Sequence, residues 1–160
     1  MIELQPSEQG LDDYPFLAAQ LQALLAGERD FIANAAQFSA FLFQQIGDLN
    51  WAGFYLVRGE ELVLGPFQGN VACVRIPFGR GVCGVAAASG NTQRVDDVHA
   101  FAGHIACDSA SNSELVVPLF KGERLFAVLD LDSPSLARFS AADQAGIERL
   151  AEVFVELTDC

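Results

Sequence analysis

A chain of 160 residues, 51% of them apolar, is long enough for one domain with a sizeable core and too apolar to stay disordered. Its formal net charge of −12 makes nucleic acid and anionic membranes poor partners. No apolar run approaches the roughly 20 residues of a membrane span. The opening "MIELQPSEQG" lacks a basic segment followed by an apolar one, so no secretory leader is expected. The expected setting is the cytoplasm, where cysteine pairs serve redox or metal chemistry more often than structure. The charge also favours a cationic group as ligand, although solubility alone accounts for most of the carboxylates.

In chain order, "FLAAQLQALLAG" has helical period and ends at Gly27. "DFIANAAQFSAFLFQQIGD" gives a second helix, capped by Asp30. The period then changes. "NWAGFYLVRG" and "EELVLGPFQG" read as a hairpin turning near Arg58 to Glu60, and "ACVRIPF" reads as a further strand. "GRGVCGVAAASG" is a glycine-led short helix, and "TQRVDDV" a short edge strand. Residues 99–112 form a long loop. "ELVVPLF" and "RLFAVLDLD" are strands joined through "KGE", and "SAADQAGIERLAEVFVEL" is a closing helix capped by Ser140, with Asp143 in its first turn. No repeat or linker interrupts the series, so residues 1–160 are expected to form a single domain. The order predicts an α+β fold with a mainly antiparallel sheet covered by helices.

The four cysteines are Cys73, Cys83, Cys107 and Cys160, and none forms a C-x-x-C pair. Cys160 is expected in a frayed tail, and Cys83, among small residues on a short helix, reads as a packed core thiol. Cys107 lies in a loop of small polar residues, "HIACDSASNSELVVP", where packing explains little. A phosphatase loop would need arginine six positions on, where Ser113 stands. A cysteine protease would need a histidine base, and His99 and His104 both lie in the same loop. His104 and Cys107 are two potential metal ligands, too few for a site. No Lys or Arg lies within ten residues of Cys107 to favour its thiolate.

Asp130 and Asp132 point to one face of their strand, with Leu129 and Leu131 on the other. If "KGE" is a three-residue loop closed by Phe120 opposite Arg124, Glu114 lies opposite Asp130 on the same face. A two- or four-residue loop would turn Glu114 away. In the favoured register three carboxylates cluster, which is unfavourable in a sheet unless it serves a site, and raises the pKa of at least one. The other reading is that the two aspartates simply end the strand in solvent. "GRGVCG" fits G-x-G-x-x-G only in letters, and reads as tight turns plus helix amides able to receive a carboxylate. Trp51, Phe54 and Tyr55 read as core, or as the wall of a pocket for an alkyl or sulfur group.

Taken together, "NWAGFYLV", "LVLGPFQG", "GRGVCG", "HIACDSASNSELVVP" and "VLDLDSP" resemble free methionine-(R)-sulfoxide reductase, a family of stand-alone GAF-domain enzymes. The resemblance implies a GAF-like fold and reduction of the free sulfoxide. It implies that Cys107 attacks the sulfoxide sulfur and that Cys73 resolves the sulfenic acid as a disulfide. Cys83 is the neighbouring family cysteine. Glu114, Asp130 and Asp132 line the substrate site, and Trp51 and Tyr55 its wall. Glu114 with a raised pKa can protonate the sulfoxide oxygen, and the remaining carboxylates can bind the substrate's ammonium. No metal or organic cofactor is needed, thioredoxin would return the electrons, and a homodimer is compatible with the sequence. One departure is Ala102, where the family has proline, which bears on the stiffness of the loop. The alternatives are a non-enzymatic GAF module, expected to carry an output domain for which this chain has no room, and a cysteine redox sensor.

Overall fold

The computed structural model describes residues 2–4, 13–105, 107 and 109–160. The leaderless reading of the first ten residues therefore lies outside the described residues at positions 1 and 5–10, as do Ala106 and Asp108 beside the loop cysteine. Helix α1 (Tyr14–Leu25) starts where Asp13 accepts the amide of Phe16 at 3.1 Å and stops ahead of Gly27, whose φ of 84° leaves the helical path. Helix α2 (Phe31–Gln45) is capped by Asp30, which accepts from the Ala33 amide at 2.9 Å. Helix α3 spans Gly81–Ser89, and α4 spans Ala141–Leu157 behind a capping box of Ser140 and Asp143. No described helix is long and apolar enough to cross a membrane.

Six strands make one sheet: β1 (Trp51–Arg58), β2 (Glu61–Gly69), β3 (Arg75–Pro77), β4 (Gln93–Val95), β5 (Ser113–Lys121) and β6 (Arg124–Ser133). Their order is β3-β2-β1-β6-β5-β4, and neighbours pair antiparallel throughout. The alternation of side chains gives the sheet two different faces. Ala52, Phe54, Leu115, Val117, Leu129 and Leu131 point to α1, α2 and α4, where Phe38 and Phe154 fill the main core. Trp51, Tyr55, Val116 and Val128 point the other way, toward Val82, Cys83 and Ala86 of α3. The α+β, mainly antiparallel expectation matches this architecture.

Three local expectations need correction. "ACVRIPF" pairs only over Arg75–Pro77, because Cys73 is drawn out of the strand by a disulfide to Cys107 and by the Tyr55 hydroxyl, which donates to the Cys73 carbonyl at 2.9 Å. The end of the chain is not frayed: Arg124 Nη2 donates to the Cys160 carbonyl at 3.0 Å, and the thiol is partly buried against the core. The β5–β6 hairpin closes with Lys121 opposite Arg124, a two-residue loop rather than three, and Phe120 pairs with Leu125, not Arg124. Such a loop alone would turn Glu114 to the helix side. A bulge between Leu119 and Phe120 then leaves Phe126 without a partner and restores the parity. Glu114 therefore shares a face with Asp130 as expected, but sits opposite Asp132.

Candidate active site

The register sets Trp51, Asp132 and Glu114 side by side across β1, β6 and β5. The next row holds Gly53, Asp130 and Val116. All three carboxylates are buried, Glu114 to 7%, Asp130 to 5% and Asp132 to 9% exposure, so the reading of a solvated strand end does not apply. Burial first, and then the charges of Asp130 and Asp132, hold Glu114 well above the usual carboxylate range. Burial also raises Asp130, to about 6, against hydrogen bonds from Glu114 and Cys83 that favour its ionised form. Cys83 Sγ donates to Glu114 Oε1 at 3.7 Å. Burial and the neighbouring carboxylates push that thiol well above its ordinary pKa, which makes it a hydrogen-bond donor rather than a nucleophile. The Oδ1 of Asp130 is buried without a hydrogen-bond partner, an acceptor left over for a donor brought by a ligand.

Cys107 reaches this cluster on the loop that precedes β5. The loop is closed at its base, where Val98 N donates to Asn112 O at 2.9 Å, and is tied to α3 where Gly81 N donates to Gly103 O at 3.0 Å. Those bonds hold the segment in which Ala102 stands for proline. Cys107 is joined to Cys73, 34 positions earlier, in a disulfide at the mouth of a cavity of about 40 Å³. Trp51, Tyr55, Cys83, Cys107, Glu114, Asp130 and Asp132 line that cavity, and Cys73 joins it through the disulfide. Trp51 stacks on Tyr55 and Phe67 at centroid distances of 5.8 and 5.1 Å, a flat apolar wall. Cys83 is thus both packed against α3's apolar neighbours and part of the site.

Arg80 and Ser111 also line the cavity, and neither was singled out from the sequence. Arg80 stands at the N-terminus of α3, distant from Cys107 in sequence, and lines the same cavity. Its signal was the "GRGVCG" motif, whose glycines serve backbone geometry: a Cβ at Gly84 would stand 2.5 Å from the Pro77 carbonyl oxygen. The N-terminus of α3 has no side-chain cap, and its Val82 and Cys83 line the cavity. The pair His104 and Cys107 forms no metal set here, since Cys107 is in the disulfide and the His104 ring lies edge-on to His99. Among the described residues, Cys83, Glu114 and Asp130 bring potential ligand atoms within 4.8 Å of one another. The carboxylate-to-thiol hydrogen bonding already described accounts for that closeness.

The GAF domain model matches residues 19–155. Over 86% of this chain and 83% of its own length, free methionine-R-sulfoxide reductase of Escherichia coli is 53% identical. The Saccharomyces cerevisiae protein of the same name is 39% identical over 86% of this chain and 81% of its own. The X-ray structure of free methionine-R-sulfoxide reductase from Neisseria meningitidis in complex with its substrate superposes with a TM-score of 0.90 at 45% identity, covering 98% of this chain and 94% of that one. A buried carboxylate cluster beneath a cysteine pair, on a GAF fold shared over nearly the whole chain with these relatives, makes this protein a member of the free methionine-R-sulfoxide reductase family.

Proposed function

We propose that the protein reduces free L-methionine-(R)-S-oxide to L-methionine, and that Cys107, Cys73 and Glu114 carry the chemistry. The observation that supports this most directly is the Cys73–Cys107 disulfide at a cavity lined by Glu114, a buried carboxyl group held well above the usual carboxylate range by burial. A sulfoxide is a poor electrophile until its oxygen is protonated. Glu114 donates that proton while the Cys107 thiolate attacks the sulfur, and methionine leaves as Cys107 becomes a sulfenic acid. The Cys73 thiol then attacks the sulfenic sulfur, water departs, and the disulfide forms. Thioredoxin, a dithiol, returns two electrons by exchange.

Asp130 and Asp132 hold the substrate's α-ammonium, Trp51 and Tyr55 bracket its thioether chain, and the uncapped end of α3 beside Cys83 receives its carboxylate. An acylated nitrogen carries no charge for the aspartates, so the free amino acid is favoured over peptide-bound forms. The test is an NADPH-coupled assay with thioredoxin and its reductase. Free substrate is expected to turn over with a kcat/KM at least about a hundredfold above that for the N-acetyl form. Comparable values would remove the ammonium site. Cys107→Ser is expected to be inactive, while Cys73→Ser releases one methionine per chain and then stalls. A redox sensor would share the disulfide but show no turnover in this assay.

A further inference from the structure

We propose that segment 70–74, with Val71 and Val74 turned outward on either side of Cys73, is the docking surface for the dithiol protein that reopens the Cys73–Cys107 disulfide. The inference rests on the reductase cycle proposed above. Val71 is 88% exposed and Val74 is 62% exposed. Their outward pose is fixed by the backbone. The Asn70 carbonyl accepts from Trp51 Nε1 at 3.2 Å, the Cys73 carbonyl from the Tyr55 hydroxyl at 2.9 Å, and the Val74 carbonyl from the Leu64 amide at 2.9 Å. Three carbonyls point inward, and the two valines stand on the outside. Valine is not a turn-forming residue, so the loop's own geometry gives no reason for it. Leu136 is another exposed apolar side chain, 62% exposed and distant in sequence from the cysteine pair. The two valines flank a reactive sulfur.

Charge points the same way. The chain has 21 Asp and Glu, yet residues 62–95 contain none, while Arg75, Arg80 and Arg94 lie within that stretch. Segment 70–74, which carries Cys73, therefore lies in an uninterrupted stretch without acidic side chains, while the carboxylates that share the cavity with Cys107, Glu114, Asp130 and Asp132, are buried. A neutral or acidic partner with an apolar rim around its dithiol meets no like charge on this segment. Placement of the valines beside Cys73 also decides which sulfur is attacked. The partner's thiolate bonds to Cys73 Sγ, the S–S bond breaks, and Cys107 leaves with the electron pair as a thiolate. The partner's second thiol then attacks the mixed disulfide and releases the Cys73 thiolate. Both thiolates take up the two protons that the partner's thiols give up. The partner ends as a disulfide, and Cys107 is released facing the carboxylates, ready for substrate.

The experiment compares the wild type with a double variant, Val71→Asp with Val74→Asp, and with Leu136→Asp as a control. The expected result is a fall of at least about tenfold in kcat/KM for thioredoxin in the double variant alone, the loss expected when two valines no longer bury against a partner. Turnover driven by dithiothreitol, and the methionine released in a single turnover by pre-reduced protein, are expected to be unchanged. A double variant that thioredoxin serves as well as the wild type would overturn the docking assignment. So would an equal loss with dithiothreitol. Failure of thioredoxin to drive the wild type, when dithiothreitol does, would instead overturn the thioredoxin reading itself. Thioredoxin lacking its second thiol is expected to be trapped on Cys73, and trapping on Cys107 would overturn the direction of attack.

Discussion

Replacing Asp130 by asparagine keeps the shape of the side chain and removes its carboxylate. In the folded protein burial raises the Asp130 pKa from 3.8 to about 6. The folded state therefore holds this proton more tightly than the unfolded chain does. The stability that the group contributes is fully present below pH 3.8 and is lost as pH rises through about 6. An asparagine side chain does not titrate, so Asp130→Asn is expected to gain stability relative to the wild type as pH rises from about 4 to about 6, with little further change above that. Urea unfolding at a series of pH values measures this, and a gap that stays constant would show that Asp130 is not the titrating group. Burial raises Glu114 as well, and Glu114→Gln is expected to lower kcat by roughly a hundredfold or more with KM little changed, since the proposed proton donor is lost. At this scale the sequence was informative where a side chain has one plausible job. A cysteine in a polar loop and three carboxylates near one strand face were visible. Arg80 was not, because its role depends on which element packs over the sheet.

The elements were legible for a related reason. Asp30 and Ser140 each cap a helix through their own side chain, a local bond that local sequence specifies. The β5–β6 hairpin was harder. The two-residue loop and the bulge at Phe126 each reverse the parity, and only their sum returns Glu114 to the site face. Nothing in "KGE" distinguishes one three-residue loop from that pair of compensating changes. Packing between α1 and α4 also lies beyond the reach of pattern. Tyr14 donates to Asp143 Oδ1 at 2.7 Å, and its ring lies directly over Gly146. A Cβ at Gly146 would stand 2.1 Å from that ring. Helix propensity alone would make Gly146→Ala stabilising by about 1 kcal/mol. Overpacking costs about 1–3 kcal/mol and here also disturbs a buried hydrogen bond, so the steric term wins. Gly146→Ala is therefore expected to lower the unfolding free energy by about 1–3 kcal/mol. A variant as stable as the wild type in chemical denaturation would show that Tyr14 yields without cost.

For the whole molecule, Cys107, Glu114, Asp130 and Asp132 line one cavity, and the disulfide ties Cys73 to it. The loop that carries Cys107 and the segment that carries Cys73 are held together by this disulfide, which is the oxidised end state of the proposed reaction. In that reaction the substrate meets Cys107 as a free thiolate, so opening of the disulfide and occupation of the site are expected to be coupled. Sequence could not reveal this, since it is a property of two distant segments brought together. The consequence is thermodynamic. A ligand that binds only the reduced form stabilises that form, and the coupling is reciprocal. L-Methionine, the product, reports on it without turnover. Calorimetry is expected to give at least about tenfold tighter binding to reduced than to oxidised protein. Saturating methionine is then expected to raise the reduction potential of the Cys73–Cys107 pair by about 30 mV for each tenfold of that preference, because two electrons are transferred. Equal affinity for the two forms, or a potential that methionine does not move, would mean that the loop opens as readily with the disulfide closed as with it broken.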